Sequence, residues 1–275
     1  MRPAEVEVQT DERGARIGAV LRADGQPVEF GGIGTMSKSK NNGVDPDSLV
    51  AKYGADTARL FIVSNSPPEQ TLEWSDEGVE GAFRFLKRLW KSVHAHVSGG
   101  AVSALDRMAL DGGQREIRRQ VHETLAKVTV DIGRRRTFNT AIAAVMELTN
   151  SLGRFDDRSP QGRAVLQEAL EIVVLALSPV VPHACHALWQ ALGHTRAAVD
   201  ETWPVADESA LVRDTIEVVV QVNGKLRGRI TVPADAPEGA VVAAALADAQ
   251  VQTHLAGKTV KRQVVVPGRL VSLVV

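Results

Sequence analysis

The chain has 275 residues, 44% hydrophobic and 24% charged, with a formal net charge of −1, which suits a soluble protein with substantial cores divided among two or three folding units. One cysteine, Cys185, excludes an internal disulfide framework and suits a reducing cytosol. Glu5, Glu7, Asp11 and Glu12 interrupt the start and argue against a signal peptide; Glu168 and Glu171 interrupt the apolar stretch after Ala164, which excludes a membrane span there.

Residues 5 to 30 read as strand, turn, strand: EVEVQT alternates, DERG turns, ARIGAVL alternates, ADGQ turns again and PVEF closes. This segment is taken as 1–34, and a two- or three-stranded meander is marginal alone. The stretch from 35 to 74 opens with Met36-Ser-Lys-Ser-Lys-Asn-Asn-Gly43, whose residues are poor helix and strand formers and predict a mobile loop. Lys38 and Lys40 are point charges on flexible stems, suited to an anion that changes position during a reaction. Asp45 then caps a helix with Pro46 at its first position, Gly54 ends it, and Asp56 caps a second short helix carrying Arg59, Leu60 and Phe61.

From about Ser75 to Trp203 the apolar period becomes helical. Val79, Ala82, Phe83, Leu86, Trp90, Val93 and Val97 form one stripe, and Ile117, Val121, Leu125, Val128 and Ile132 a second. Phe138, Ile142, Val145, Leu148 and Leu152 supply a third; a fourth helix, roughly 164 to 177, stops before Pro179, and Pro182 restarts a short one through Trp189. The region 75–205 is therefore expected to be a four- or five-helix bundle. Trp74, Trp90 and Trp189 are assigned to core or hinge packing. His183, Cys185 and His186 lie close together but lack a second ligand cluster, so no metal site is expected, and Cys185 has no partner base to make it a nucleophile.

The last unit, 213–275, contains Asn223-Gly224 between EVVVQV and KLRGRITV, a strong type I′ hairpin signal. A helix from Pro237 through Ala249 and two strands, TVKRQVVVP and RLVSLVV, complete a compact α+β domain. The whole is multi-domain and mainly α: a short β segment and loop, an α-helical bundle, and a small C-terminal α+β domain.

Basic residues recur on these elements. Arg84, Lys87, Arg88 and Lys91 lie at helical spacing on the first bundle helix, Arg115, Arg118, Arg119 and His122 on the second, and Arg134, Arg135 and Arg136 cluster before Thr137. The last unit is locally positive, with Lys225, Arg227, Arg229, Lys261 and Arg262 among its cations. Such stripes are either solvated faces or surfaces for a nucleic-acid backbone.

The string MSKSKNNGVDP followed by YGADTARLF resembles the nucleotide-clamping signature loop of class I aminoacyl-tRNA synthetases. TLEWSDEGVEGAFRFLKRLW, TFNTAIAAVMELTNSL, SPVVPHACHALW, WPVAD and VVVQVNGKLRGRITVP resemble successive segments of bacterial leucyl-tRNA synthetases, so the resemblance runs from about residue 30 to Val275. It implies that the helical region is an anticodon-binding-type bundle and that Lys38, matching the second lysine of the loop, contacts ATP and stabilises the transition state of leucine activation. It implies Met36, Ser37 and Ser39 as further ATP-binding residues, ATP as a substrate with Mg2+ alongside it, and tRNA(Leu) as the partner of the basic faces. Where the family loop begins with lysine this chain has Thr35, so the first lysine's contribution is not carried over.

The family also needs an HIGH-type motif, and none of the seven histidines, His94, His96, His122, His183, His186, His194 and His254, stands in that context. The expectation is a cytoplasmic, carboxy-terminal part of a leucyl-tRNA synthetase, inactive alone. Its catalytic and editing region would lie in the same chain or in a separate subunit. A non-catalytic tRNA-binding module is the alternative.

Overall fold

In the computed structural model, residues 5–12, 16–29, 34–40, 42–67, 69–213, 215–255 and 257–275 are described, and they fold as two compact units, Met1–Ala206 and Asp207–Val275. The first unit opens with an antiparallel hairpin, β1 (Val6–Thr10) and β2 (Arg16–Leu21), in which Val6 faces Leu21. The third expected strand reduces to one bridge between Val20 and Pro27, because Pro27 brings no N–H to extend a ladder. Phe30 of that expected strand lies outside the described residues.

Two helices follow the loop, α1 (Pro46–Tyr53) and α2 (Ala55–Asn65). Asp45 accepts a hydrogen bond from the Ser48 N–H at 3.2 Å with Pro46 at the first helical position, and Gly54, at φ 84°, makes the corner into α2. The bundle comprises α3 (Asp76–Val97), α4 (Gly112–Val130), α5 (Phe138–Leu152), α6 (Pro160–Leu177) and α7 (Pro182–Ala191). Three bundle helices start on side-chain caps. Ser75 accepts from Gly78, Ser159 accepts from Gly162, and Asp111 and Gln114 form a reciprocal capping box. The core runs through all of them, with Phe85, Leu89, Leu125, Leu170, Leu177 and Leu188 fully buried.

The α3 stripe differs from expectation. Val79, Ala82, Phe85, Leu89 and Val93 are buried, whereas Trp90 is 42% exposed and Val97 is exposed, so the inward face is rotated roughly 60° from the expected one at about 100° per residue. An apolar-rich helix offers two overlapping stripes, and packing against α2, α6 and α7 selects between them. Trp90 therefore leaves the set of core tryptophans and tilts against His94, ring centroids 4.8 Å apart. Trp189 is buried and Trp74 half-buried, the latter edge-on to Phe61 at 5.2 Å.

Helix α4 ends in one turn of π-helix, Asp131–Arg135, closed by Arg136 in the left-handed region at φ 57°. The second unit holds β3 (Thr215–Val222), β4 (Lys225–Pro233), α8 (Glu238–Ala247), α9 (Ala249–Leu255), β5 (Arg262–Val266) and β6 (Leu270–Val274). Asn223 and Gly224 both adopt positive φ, 50° and 75°, as the type I′ hairpin requires. The sheet order is β4-β3-β6-β5, with β6 parallel to β3. The single helix expected after Pro237 is two, broken at Asp248, whose side chain accepts from the Val251 N–H at 3.0 Å.

Candidate ATP loop and nucleic-acid interface

The loop before α1 contains one short turn and several hydrogen bonds within itself. Residues Lys38–Lys40 make one 3-10 turn, in which Lys40 donates its N–H to Ser37 Oγ at 3.3 Å. Asn42 binds the loop to itself: its Oδ1 accepts from the Ser37 N–H at 2.8 Å and its Nδ2 donates to the Thr35 carbonyl at 3.2 Å. Ser37 and Ser39 meet through their hydroxyls at 3.3 Å, and Met36 is 44% exposed beside them. The backbone of Lys38 lies within this turn; its side chain lies outside the described residues. Composition alone does not single out Asn42. The signal it offers is a short amide side chain that can mimic a backbone turn.

Asp56 also departs from expectation. It does not cap its own helix, for Gly54 holds that position without a side-chain bond. Its carboxylate is nearly buried and turns toward the start of α7. Oδ2 accepts from the Ala184 N–H at 2.7 Å; Oδ1 accepts from Arg59 Nη1 and His183 Nδ1, each at 2.9 Å. His183 is thereby engaged with Asp56 rather than with a metal-like partner. Among the described residues no three His, Cys, Asp or Glu side chains converge as metal ligands. Cys185, in the first turns of α7, is fully buried, and that burial, reinforced by the negative charge of Asp56, pushes its thiol far up, which leaves it inert as a nucleophile.

The basic residues sort by what already holds them. On α3, Arg84, Lys87, Arg88 and Lys91 are all exposed. Arg84 makes a 3.5 Å pair with Glu80, which is also more than half exposed, and Lys87 sits 4.3 Å above the Phe83 ring. On α4 the outcome is different. Arg118 is 3% exposed and grips Glu168 of α6 with two bonds, 2.8 and 3.0 Å, with His122 on the same carboxylate at 3.3 Å. Burial pushes the Glu168 carboxyl up, but the His122 and Arg118 hydrogen bonds outweigh it and hold the group below the usual range. Arg118 is therefore withdrawn from the surface it was expected to serve: it answers a buried charge.

Arg119 is clasped by Glu116 and Glu123, at 2.5 and 2.6 Å, and Arg115 donates to the Leu110 carbonyl. At the π-turn, Arg134, Arg135 and Arg136 are exposed, with Arg135 3.3 Å from the buried Asp131, which Lys127 also reaches at 3.0 Å. In the second unit Arg229 pairs with Glu217 at 3.1 Å, and Lys225, Lys261 and Arg262 are exposed while Arg227 is half-buried. Lys225, Arg227 and Arg229 lie on β4 and Arg262 on β5, opposite edges of the sheet, three strand spacings or about 14 Å apart.

Residues 30–75 match the family described as tRNA synthetases class I (I, L, M and V), and residues 114–243 match the anticodon-binding domain of tRNA ligase. The second match runs past Ala206 into β3, β4 and α8, elements that fold with the second compact unit. The chain is 60% identical over 272 residues to the leucine--tRNA ligase of Chromohalobacter salexigens, covering 99% of this chain and 32% of that protein. It is 66% identical over 240 residues to the enzyme of Thioalkalivibrio sulfidiphilus, covering 87% and 29%. Among solved structures, it resembles the ternary complex of Agrobacterium radiobacter K84 agnB2 LeuRS-tRNA-LeuAMS. The TM-score is 0.72 at 29% identity, over 87% of this chain and 30% of that one. The chain thus spans about a third of the length of the curated relatives it matches, and over that third it belongs to the leucine--tRNA ligase family of class I tRNA synthetases.

Proposed function

We propose that this chain is the carboxy-terminal part of a leucine--tRNA ligase, supplying the loop that clamps ATP and the surfaces that hold tRNA(Leu). The observation that carries the reading is identity near 60% across 99% of the chain, joined to the MSKSK loop and its capped helix. The reaction has two steps. Leucine attacks the α-phosphate of ATP and expels pyrophosphate; the acyl group then passes to the terminal ribose of the tRNA. The ammonium of Lys38 stabilises the charge gathering on the departing pyrophosphate, an interaction stronger in the transition state than with resting ATP. Met36, Ser37 and Ser39 shape the same loop. Mg2+ accompanying ATP would be held mainly by the phosphates and water, which requires no cluster of three protein ligands.

The leucine pocket and an HIGH-type motif are not in this sequence, so activation requires that region, whether in the same chain or as a separate subunit. The exposed cations of α3, the π-turn arginines and those of the second unit meet the phosphate backbone, which positions tRNA without reading a base. A cytoplasmic location accords with this reading. Among the described residues no helix is long and apolar enough to cross a membrane.

Lys38→Ala in the complete enzyme is expected to lower leucine-dependent pyrophosphate exchange at least about tenfold while changing tRNA affinity less than about twofold. Exchange at the wild-type rate refutes the role given to Lys38.

A further inference from the structure

Helix α7 begins without a cap of its own. Val181 stands at the N-cap position and makes no side-chain bond, and Pro182 at the first turn has no N–H to satisfy. The missing acceptor comes from elsewhere in the chain: Asp56 Oδ2, on α2, takes the Ala184 N–H at 2.7 Å across a separation of 128 residues. This is the shortest and best shielded of the three bonds Asp56 makes, since Arg59 and His183 leave about half and three quarters of their side chains in solvent. A charged acceptor on a helix N-terminus is favoured by both the hydrogen bond and the helix dipole.

Its place in the chain gives the contact a consequence. Asp56 lies two residues beyond Gly54, the positive-φ corner that joins α1 to α2, and α1 grows directly from the signature loop. The same corner is tied to α3 by Tyr53, whose ring meets Phe83 edge-on at 5.5 Å. We infer that Asp56 is a positioning residue. By capping α7 it fixes the α1–α2 corner, and hence the base of the ATP loop, against the helical bundle, so that the loop closes in register with the reacting phosphates. This rests on the function proposed above for the loop.

The complete ligase distinguishes the two ideas. Pyrophosphate exchange per active site, counted by burst titration, is compared among wild type, Asp56→Ala, Asp56→Asn and His183→Gln. Asp56→Asn keeps one acceptor for Ala184 and so preserves folding, yet loses the charge. It is expected to slow turnover about three- to fivefold with the KM for leucine within about twofold, and Asp56→Ala about tenfold. His183→Gln leaves the cap intact and is expected to stay within about twofold. A purely structural role would reduce the count of active sites and leave turnover per site alone. Asp56→Ala at the wild-type turnover per site overturns the inference, and so does His183→Gln as slow as Asp56→Ala. A wild-type enzyme without leucine-dependent exchange overturns the proposed function itself.

Discussion

Arg118 and Arg84 carry the same charge, on helices that each present a basic stripe, and the structure gives them opposite work. Arg84 and Glu80 are both more than half exposed, a setting in which an ion pair contributes about 0–1 kcal/mol, so the guanidinium is cheaply released to another anion. Arg118 has 4% of its side chain in solvent and joins α4 to Glu168 of α6 by two bonds. Removing one member of such a buried pair costs about 3–5 kcal/mol, because the other charge is left behind. Arg118→Met is therefore expected to lower the unfolding free energy by about 3 kcal/mol in a urea titration, with tRNA affinity of the folded fraction unchanged. A drop below about 1 kcal/mol would show that His122 alone satisfies Glu168. In the sequence Arg118 and Arg119 are indistinguishable from surface cations. Their acidic partners lie 50 residues away on α6 in the first case and three and four residues away on α4 in the second, and only the latter pattern is local.

At the level of elements, the cap and corner of α1 and the apolar faces of α4 and α5 are legible in the sequence, and the face of α3 is not. Asp45, Pro46 and Gly54 bound α1 as their chemistry requires, and Asn223-Gly224 turns the β3–β4 hairpin, since these motifs act within a few residues. The inward face of α3 and the destination of the Asp56 side chain depart from the sequence-based expectation, because each is decided by a helix distant in sequence. The seat of α3 on α2 is tight at one point: a Cβ on Gly78 would stand 2.6 Å from Phe61 Cε2, and Phe61 is 3% exposed and cannot swing away. Gly78→Ala gains about 1 kcal/mol of helix propensity but incurs overpacking of about 1–3 kcal/mol. Thermal unfolding is expected to place Gly78→Ala below wild type and Gly81→Ala, in the same helix with only the Arg84 guanidinium tip at 3.9 Å, at or above it. The reverse order would mean that α2 yields to α3.

Across the molecule, exposed cations lie on α3 and the π-turn of the first unit and, separately, on two edges of the second unit's sheet, and the role proposed for each set is to meet a phosphate backbone rather than to read a base. Each phosphate that the protein no longer neutralises lowers the salt dependence of binding, the slope of log K against log salt falling by about 0.7–0.9 per phosphate. Replacing Arg134 and Arg136 together by Gln is expected to reduce that slope for tRNA(Leu) by about 1–2. Replacing Arg119, already clasped by two glutamates, leaves it unchanged. Equal slopes for the two variants would remove the π-turn from the interface.

The amino-acid sequence by itself determined the family, the signature-loop string, the helical character of the middle region and the hairpin of the last unit. All of these rest on short-range patterns: a motif string, a period of apolar residues, a cap within one turn. Tertiary structure alone decided which arginines remain at the surface, which stripe of α3 turns inward, that β6 lies parallel beside β3, and that Asp56 serves α7 instead of its own helix. Each of those outcomes depends on a partner supplied by a distant part of the chain. Burial then sets the strength of the interaction, because a charge removed from water must be answered by whatever group the fold brings to it.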